Sequence, residues 1–273
     1  MTENKELLIA VKGLDWHYGE DRVLEDVRLD LYSNGFYGII GPNGSGKTTL
    51  LKNISRSLMT QKGKVFLNER DITEFLNKEL AKKISYVPQN TNLEFEFSVM
   101  DIVLMGRSPH LKRFQSESTY DMGIAKHAME ITDTWHLRDK NIAMVSGGER
   151  QRAIIARALA QQADVMLLDE PVSQLDIQHQ IEILEILKKL TEDNRLTVVM
   201  SIHDLNMASQ YCDRLILMDK GRIFKEGGPH EVIVEENIRS VYGLKAFIMK
   251  DPLTDKPHLI PLRKSPNDPK DCC

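Results

Sequence analysis

Apolar positions along this chain follow two rhythms. FYGII from Phe36, VMLLD from Val165 and TVVMS from Thr197 are short continuous runs. They have strand length and no alternation, so they read as strands buried on both faces. LLIAVKGLDWHYG and RVLEDVRLDLYSNG read as strands punctuated by glycine, KVFLNERDI as a strand then a turn, and KISYVPQN as a strand ended by Pro88. The second rhythm is helical. TTLLKNISRSL comes after the glycine-rich stretch that succeeds FYGII, and in IQHQIEILEILKKLTE the residues Ile177, Ile181, Leu184 and Leu187 fall on one face. Strands that alternate with helices predict an α/β fold with a parallel sheet covered on both sides.

The stretch from about 90 to 161 breaks that alternation. Ser98 and Asp101 in FSVMDIVLMGR stand at capping-box spacing and predict a helix start. The rest of the stretch is rich in Met, Ala, His and Glu, with little strand character, and reads as an inserted helical subdomain. Further on, DRLILMDKGRIFKEG predicts a hairpin around Lys220 and Gly221, and the last 45 or so residues predict a short helix and an irregular tail.

In a parallel sheet covered by helices, ligands bind beyond the carboxyl ends of the strands. Several residues capable of chemistry stand there. The run Gly41, Pro42, Asn43, Gly44, Ser45, Gly46, Lys47, Thr48, Thr49 follows FYGII and matches a phosphate loop, GxxxxGK[ST], between a strand and a helix as that motif requires. Its glycines let backbone N–H groups approach phosphate, the helix start adds partial positive charge, Lys47 adds a full one, and Thr48 can ligate Mg²⁺. Asp169 ends VMLL as a metal-holding carboxylate. Glu170 comes next and points elsewhere, because side chains alternate along an extended chain, and is placed to act as general base on water. His203 follows TVVMSI and is a candidate to hydrogen-bond the γ phosphate or the attacking water; Gln89 follows ISYV and is a candidate to orient Mg²⁺ or water; either also suits a structural role. Tyr18 in WHYGE is the weakest of the set, a candidate to stack on adenine.

A second anion-binding element appears in MVSGGERQRAIIARALAQ. Ser146 is a natural N-cap before a strong helix former, and Gly147 and Gly148 leave the helix start open. With this stretch the chain resembles the ATP-binding cassette (ABC) ATPases. VSGGERQR is similar to their signature motif, with Val145 in place of the usual Leu, GPNGSGKTT to Walker A, YVPQ to the Q-loop and LLDEP to Walker B. SQLD at 173–176 resembles the D-loop, and Ile202, His203 and Asp204 the switch histidine. The resemblance runs from Tyr18 to about Leu262. It implies a P-loop NTPase (RecA-like) core with an antiparallel β subdomain and an inserted α-helical subdomain, one cassette over 1–245 with an extension and polar tail over 246–273. It implies ATP and Mg²⁺ as ligands, and a head-to-tail pair of copies. In that pair Ser146, Gly147, Gly148, Glu149 and Gln151 of one copy, with Asp176, close over ATP held by the loop of the other.

VLMGRSPH, LDIQHQ, HDLNMASQYCDR and PHLIPL narrow the resemblance to importers of iron(III)-siderophores, haem and cobalamin, with the nearest match among ferric-siderophore import ATPases. That subclass implies a peripheral protein on the cytoplasmic face of the membrane. Its partners would be two transmembrane permease subunits and, indirectly, an extracytoplasmic substrate-binding protein. The segment from 89 to about 114 is then the permease-facing groove, with Phe95, Phe97 and Val99 as apolar contacts and Arg107, Lys112 and Arg113 as polar ones.

Composition bears on the alternative, a soluble ABC-type ATPase acting on nucleic acid or ribosomes. The 273 residues carry a net charge of −4, with 41% hydrophobic and 28% charged residues. That is the balance of an ordinary globular protein without the basic footprint of a nucleic-acid clamp, so no nucleic-acid partner is expected. No run approaches the ~18 apolar residues that span a bilayer, and no secretory signal is expected at the start. Cys212 reads as packing, and Cys272 and Cys273 close the polar tail.

Overall fold

The computed structural model describes residues 6–89, 96–173, 175–193 and 196–262. Cys272, Cys273 and the tail around them, Phe95, and Gln174 of the D-loop lie outside these.

The chain opens with a long antiparallel hairpin, β1 (Leu7–Tyr18) and β2 (Asp21–Tyr32). β3 (Phe36–Ile40) then leads through the glycine loop into α1 (Lys47–Ile54). The short strands β4 (Val65–Leu67) and β5 (Arg70–Asp71) return to extend the first hairpin, giving a four-stranded sheet in the order β2-β1-β4-β5. α2 (Asn77–Ala81) and β6 (Ile84–Val87) come after them. The helical segment holds α3 (Val99–Leu104), α4 (Thr119–Ile131) and α5 (Gly147–Ala160), with one 3₁₀ turn between the first two and two between the last two.

Next come β7 (Val165–Asp169), α6 (Ile177–Glu192), β8 (Thr197–Ser201) and α7 (Leu205–Tyr211). β9 (Arg214–Asp219) and β10 (Arg222–Gly227) form the expected hairpin. The chain continues through α8 (Pro229–Val232) and α9 (Glu235–Tyr242) into β11 (Ala246–Lys250) and β12 (Pro257–Pro261).

The main sheet has the order β10-β9-β3-β8-β7-β6. Its five strands from β9 to β6 are parallel, and β10 pairs antiparallel at the edge. Every residue of β3, β7 and β8 is buried. Successive side chains enter different cores. Val165, Leu167 and Val199 join a cluster with α1 and the antiparallel sheet, whereas Met166, Leu168, Val198 and Met200 join one with α6, α7 and the C-terminal elements. That two-sided burial is why these runs read as continuous apolar stretches. A third core belongs to the helical segment alone, with Val99, Ile102, Met129 and Ala153 among its members.

Two expectations are corrected. In α6 the buried face is Ile183, Leu184, Leu187 and Leu190, while Ile177 and Ile181 are 68% and 42% exposed. The apolar stripe chosen from spacing therefore covers the core only in the later turns of the helix. The end of the chain is no irregular tail through 262. β11 and β12 pair as a hairpin seated on α7, with Asn206 bonding Leu259 through both its amide groups and Ser209 donating to the Pro257 carbonyl. Cys212 is buried as expected, and burial pushes its thiol pKa up.

Candidate functional site

The loop after β3 is built around backbone that only glycine accepts. At Gly41, with φ of 150°, a Cβ would come within 2.3 Å of the Met218 carbonyl oxygen. Gly46 is the N-cap of α1 and has no side chain to cap it, so the helix start is open to an anion. Lys47 is only 5% exposed and donates to the carbonyls of Gly41 (2.8 Å) and Pro42 (3.0 Å), which holds its ammonium across the loop. Burial pushes its pKa down, and the negative charges of Glu170 and Asp169 oppose that shift. The Ser45 hydroxyl is buried with no hydrogen-bond partner. An orphaned donor beside an uncapped helix start and a buried ammonium fits an oxyanion ligand such as phosphate. A cleft of about 160 Å³ opens here, lined by Asn43, Gly44, Gly46, Lys47, Thr48, Thr49, Val23 and Glu170.

The carboxylates come from β7. Asp169 is 1% exposed and accepts from the Thr48 hydroxyl at 3.0 Å and the Ser201 hydroxyl at 2.9 Å. A hydroxyl and a carboxylate in contact make a hard-oxygen pair of the kind that binds Mg²⁺. Glu170 does not continue the strand. Its φ is 49°, in the left-handed region, so the expected alternation of side chains ends at Asp169. The turn returns Glu170 to the same site. One of its carboxylate oxygens lies 2.5 Å from Nε2 of His203 and the other accepts from Nε2 of Gln89 at 2.5 Å. Since a carboxylate only accepts, the proton of the first contact sits on His203 Nε2. The ends of β3, β6, β7 and β8 thus supply Lys47 and Thr48, Gln89, Asp169 and Glu170, and His203 to one cluster. Gln89 stands on Glu170 rather than on Asp169.

Ser201 was not anticipated from the sequence. It is fully buried, donates to Asp169, and accepts the Glu170 N–H at 2.8 Å, so one hydroxyl ties the two acidic residues together. Its only sequence signal is a hydroxyl at the end of an apolar run. Tyr18 ends β1, 46% exposed and edge-on to Trp16, with ring centroids 6.1 Å apart and planes at 73°.

The second element is a capped helix start. Ser146 Oγ accepts from the Glu149 N–H (3.3 Å), and the Glu149 carboxylate folds back to the Ser146 N–H (2.7 Å). Hydrogen bonds from the Ser146 N–H, and then the Ser146 hydroxyl, to this carboxylate lower its pKa. A Cβ at Gly147 would meet nothing within 4 Å, while one at Gly148 would meet the ring of His179. Gln151 is half-buried one turn on. Asp176 caps α6 by accepting from the His179 N–H at 3.0 Å. Among the described residues no hydrogen bond joins 146–151 to the loop at 41–49, so the chain carries two separate candidate elements.

Two of the expected permease contacts are corrected. Val99 is fully buried in the core of the helical segment. Arg107 is 2% exposed and acts as an internal tie: Nε bonds Asp121 (3.0 Å), and one terminal nitrogen bonds the Ala160 carbonyl (2.8 Å) and the Gln162 side chain (2.9 Å). Phe97 is half-buried, and Lys112 and Arg113 are exposed.

Comparison with known proteins places this geometry. The family model described as ABC transporter matches residues 24–173, more than half of the chain. The ferric enterobactin transport ATP-binding protein FepC of Escherichia coli K12 is 38% identical over 97% of this chain and 97% of its own. The iron(3+)-hydroxamate import ATP-binding protein FhuC of Bacillus subtilis 168 is 38% identical, covering 91% and 93%. Among solved structures, a chain of an inward-facing transporter described as metal-chelate type superposes with a TM-score of 0.83 at 29% identity, covering 95% of this chain and 99% of that one. A dimeric post-hydrolysis cassette, MJ0796 bound to ADP and Pi, superposes with a TM-score of 0.70 at 28% identity, covering 81% and 98%. With the phosphate loop, the paired carboxylates and these likenesses together, the chain belongs to the ABC transporter family as one of its ATP-binding cassettes.

Proposed function

We propose that this chain is the ATP-hydrolysing subunit of an importer for a ferric chelate. The observation that carries the reading is the Glu170 carboxylate, held from both sides by His203 and Gln89 beside the Lys47 loop. A carboxylate oriented in this way is a general base for water at a phosphate bound in the loop. The names of the two relatives, ferric enterobactin transport and iron(3+)-hydroxamate import, support an iron chelate as the cargo.

In this reading the N–H groups of 41–49 and the Lys47 ammonium hold the β and γ phosphates, and Tyr18 stacks on adenine. Thr48 and Asp169 would hold Mg²⁺, which when bound neutralises charge on the phosphates. Glu170 takes a proton from the attacking water, and the Nε2–H of His203 keeps the base aimed. Ser146, Gly147, Gly148, Glu149 and Gln151, with Asp176, act on the nucleotide of a second copy. The dimeric state of the MJ0796 cassette supports that pairing, and so does the open space beside Gly147.

The pair would sit at the cytoplasmic face of the membrane beneath two permease subunits, fed by an extracytoplasmic binding protein. Among the described residues no helix is long and apolar enough to cross a membrane. The permease-facing surface is proposed around Phe97, Lys112 and Arg113.

The test is uptake of a radiolabelled ferric chelate by cells lacking the endogenous gene. The parent chain restores uptake and Glu170→Gln does not. Full uptake with Glu170→Gln, or no uptake of any ferric chelate with the parent, overturns the proposal.

A further inference from the structure

The starts of α5 and α6 are clasped at two levels. At the outer level stands His179, in the first turn of α6. Its Nδ1 is 2.8 Å from both carboxylate oxygens of Asp176. Capping of α6 needs only the backbone bond from His179 to Asp176; the ring contact is additional. Because the carboxylate only accepts, Nδ1 carries the proton. The other side of the ring lies against Gly148, where a Cβ would come within 2.8 Å of Cδ2, 2.9 Å of Cγ and 3.2 Å of Nε2. One turn further along, Arg152, 8% exposed, bonds the Glu182 carboxylate at 3.0 Å.

The two glycines of the SGG turn therefore face different neighbours. Gly147 faces open space, where a partner can approach, and Gly148 faces a histidine of its own chain. A side chain at 148 would push His179 off Asp176. The ring thus spans the Asp176 loop and the 146–149 turn, the two elements that the dimer reading directs at the other copy's nucleotide.

We propose that His179 is a positioning residue, wedged between Asp176 and Gly148, that fixes the 146–149 turn to Asp176 at the start of α6 so that one chain offers both to its partner as a single rigid surface. The inference rests on the proposed pairing of two ATPase chains.

The test uses the full-length chain carrying Glu170→Gln, with ATP-dependent pairing followed by sedimentation. Adding His179→Ala weakens pairing about tenfold, equivalent to about 1.4 kcal/mol. Melting temperature, and binding of a fluorescent ATP analogue at concentrations where chains stay single, remain at the parental values. His179→Asn, whose amide nitrogen can reach Asp176 from nearly the place of Nδ1, restores pairing to within about threefold of the parent. Equal pairing by His179→Ala and the parent overturns the inference. So does weaker pairing matched by a lower melting temperature and weaker single-chain binding, the mark of a merely structural part, and so does a His179→Asn chain no better than His179→Ala. Failure of the Glu170→Gln parent itself to pair is a different result: it overturns the paired-ATPase reading and this inference with it.

Discussion

Nε2 of His203 stands 2.5 Å from a carboxylate oxygen of Glu170. With Gln89 on the other oxygen, the base is held on both sides. Replacing Glu170 by Gln removes the base and lowers kcat by roughly 10²–10⁴. His203→Ala leaves the base in place but frees it to turn, so kcat falls less, by about 10- to 100-fold, while KM for ATP stays within about twofold. Steady-state phosphate release checks this. A large rise in KM with kcat unchanged would assign His203 to binding and not to orientation.

Ser201 acts on the same pair of acids from beneath. Its hydroxyl satisfies the Glu170 N–H in a left-handed conformation and bonds Asp169. Ser201→Ala leaves that N–H without its partner in a closed site, at a cost of about 1–3 kcal/mol by urea unfolding. Catalysis suffers too, because the turn that returns Glu170 to the loop loses its anchor. Unchanged stability with unchanged kcat would show that the turn is held by something else.

How the site formed was legible in part. The glycine loop and the strand ends around it could be read because each depends on local pattern: a run buried on both faces, followed by residues of phosphate chemistry. The turn at Glu170 could not be read, since a positive φ at a non-glycine residue leaves no mark in the sequence. Ser201 was hidden for a related reason, as a lone hydroxyl in VVMS breaks no rhythm. In IQHQIEILEILKKLTE two overlapping apolar stripes satisfy helical spacing. Contact with the sheet selects Ile183, Leu184, Leu187 and Leu190. The hairpin of β11 and β12 is set by distant bonds such as Asn206 to Leu259, which local periodicity does not report.

Lys47 trades stability for binding. Burial lowers its pKa, so at neutral pH the folded chain holds a cation that water would solvate better. Lys47→Met removes that penalty along with the charge. Nucleotide affinity falls about 10- to 100-fold, the worth of a charge-assisted hydrogen bond, while the melting temperature stays level or rises. Calorimetric titration with ATP and a thermal melt of the same sample check both. A marked drop in melting temperature would mean that the bonds to Gly41 and Pro42 are structural.

Phe97 is half-buried at the edge of the helical segment, which also carries the exposed Lys112 and Arg113. A charge there should spoil docking on an apolar permease surface while sparing the loop at 41–49, since Phe97 packs on the core of the helical segment. Phe97→Glu is expected to abolish chelate uptake and leave ATP binding by the isolated chain within about twofold of the parent, a change of no more than about 0.4 kcal/mol. Unchanged uptake would move the permease groove elsewhere.

Asp121 offers a separate handle on the helical segment. The Ser118 hydroxyl and N–H, and then Arg107, hold its pKa down to about 2. A folded pKa below the unfolded value of about 3.9 means that the carboxylate contributes stability above pH ~4 and loses it as pH falls toward 2. Arg107 is 2% exposed and has this carboxylate as its counter-charge. Asp121→Asn therefore leaves a buried guanidinium without compensation, at a cost of about 3–5 kcal/mol at pH 7. As pH falls below about 4 the unfolded parent takes up a proton here before the folded chain does, so the contribution of the carboxylate falls. The gap between parent and variant, measured by urea unfolding at pH 7 and again near pH 2.5, should then shrink. A gap of the same size at both pH values would show that the Arg107 charge is balanced by its bonds to Ala160 and Gln162 and not by Asp121.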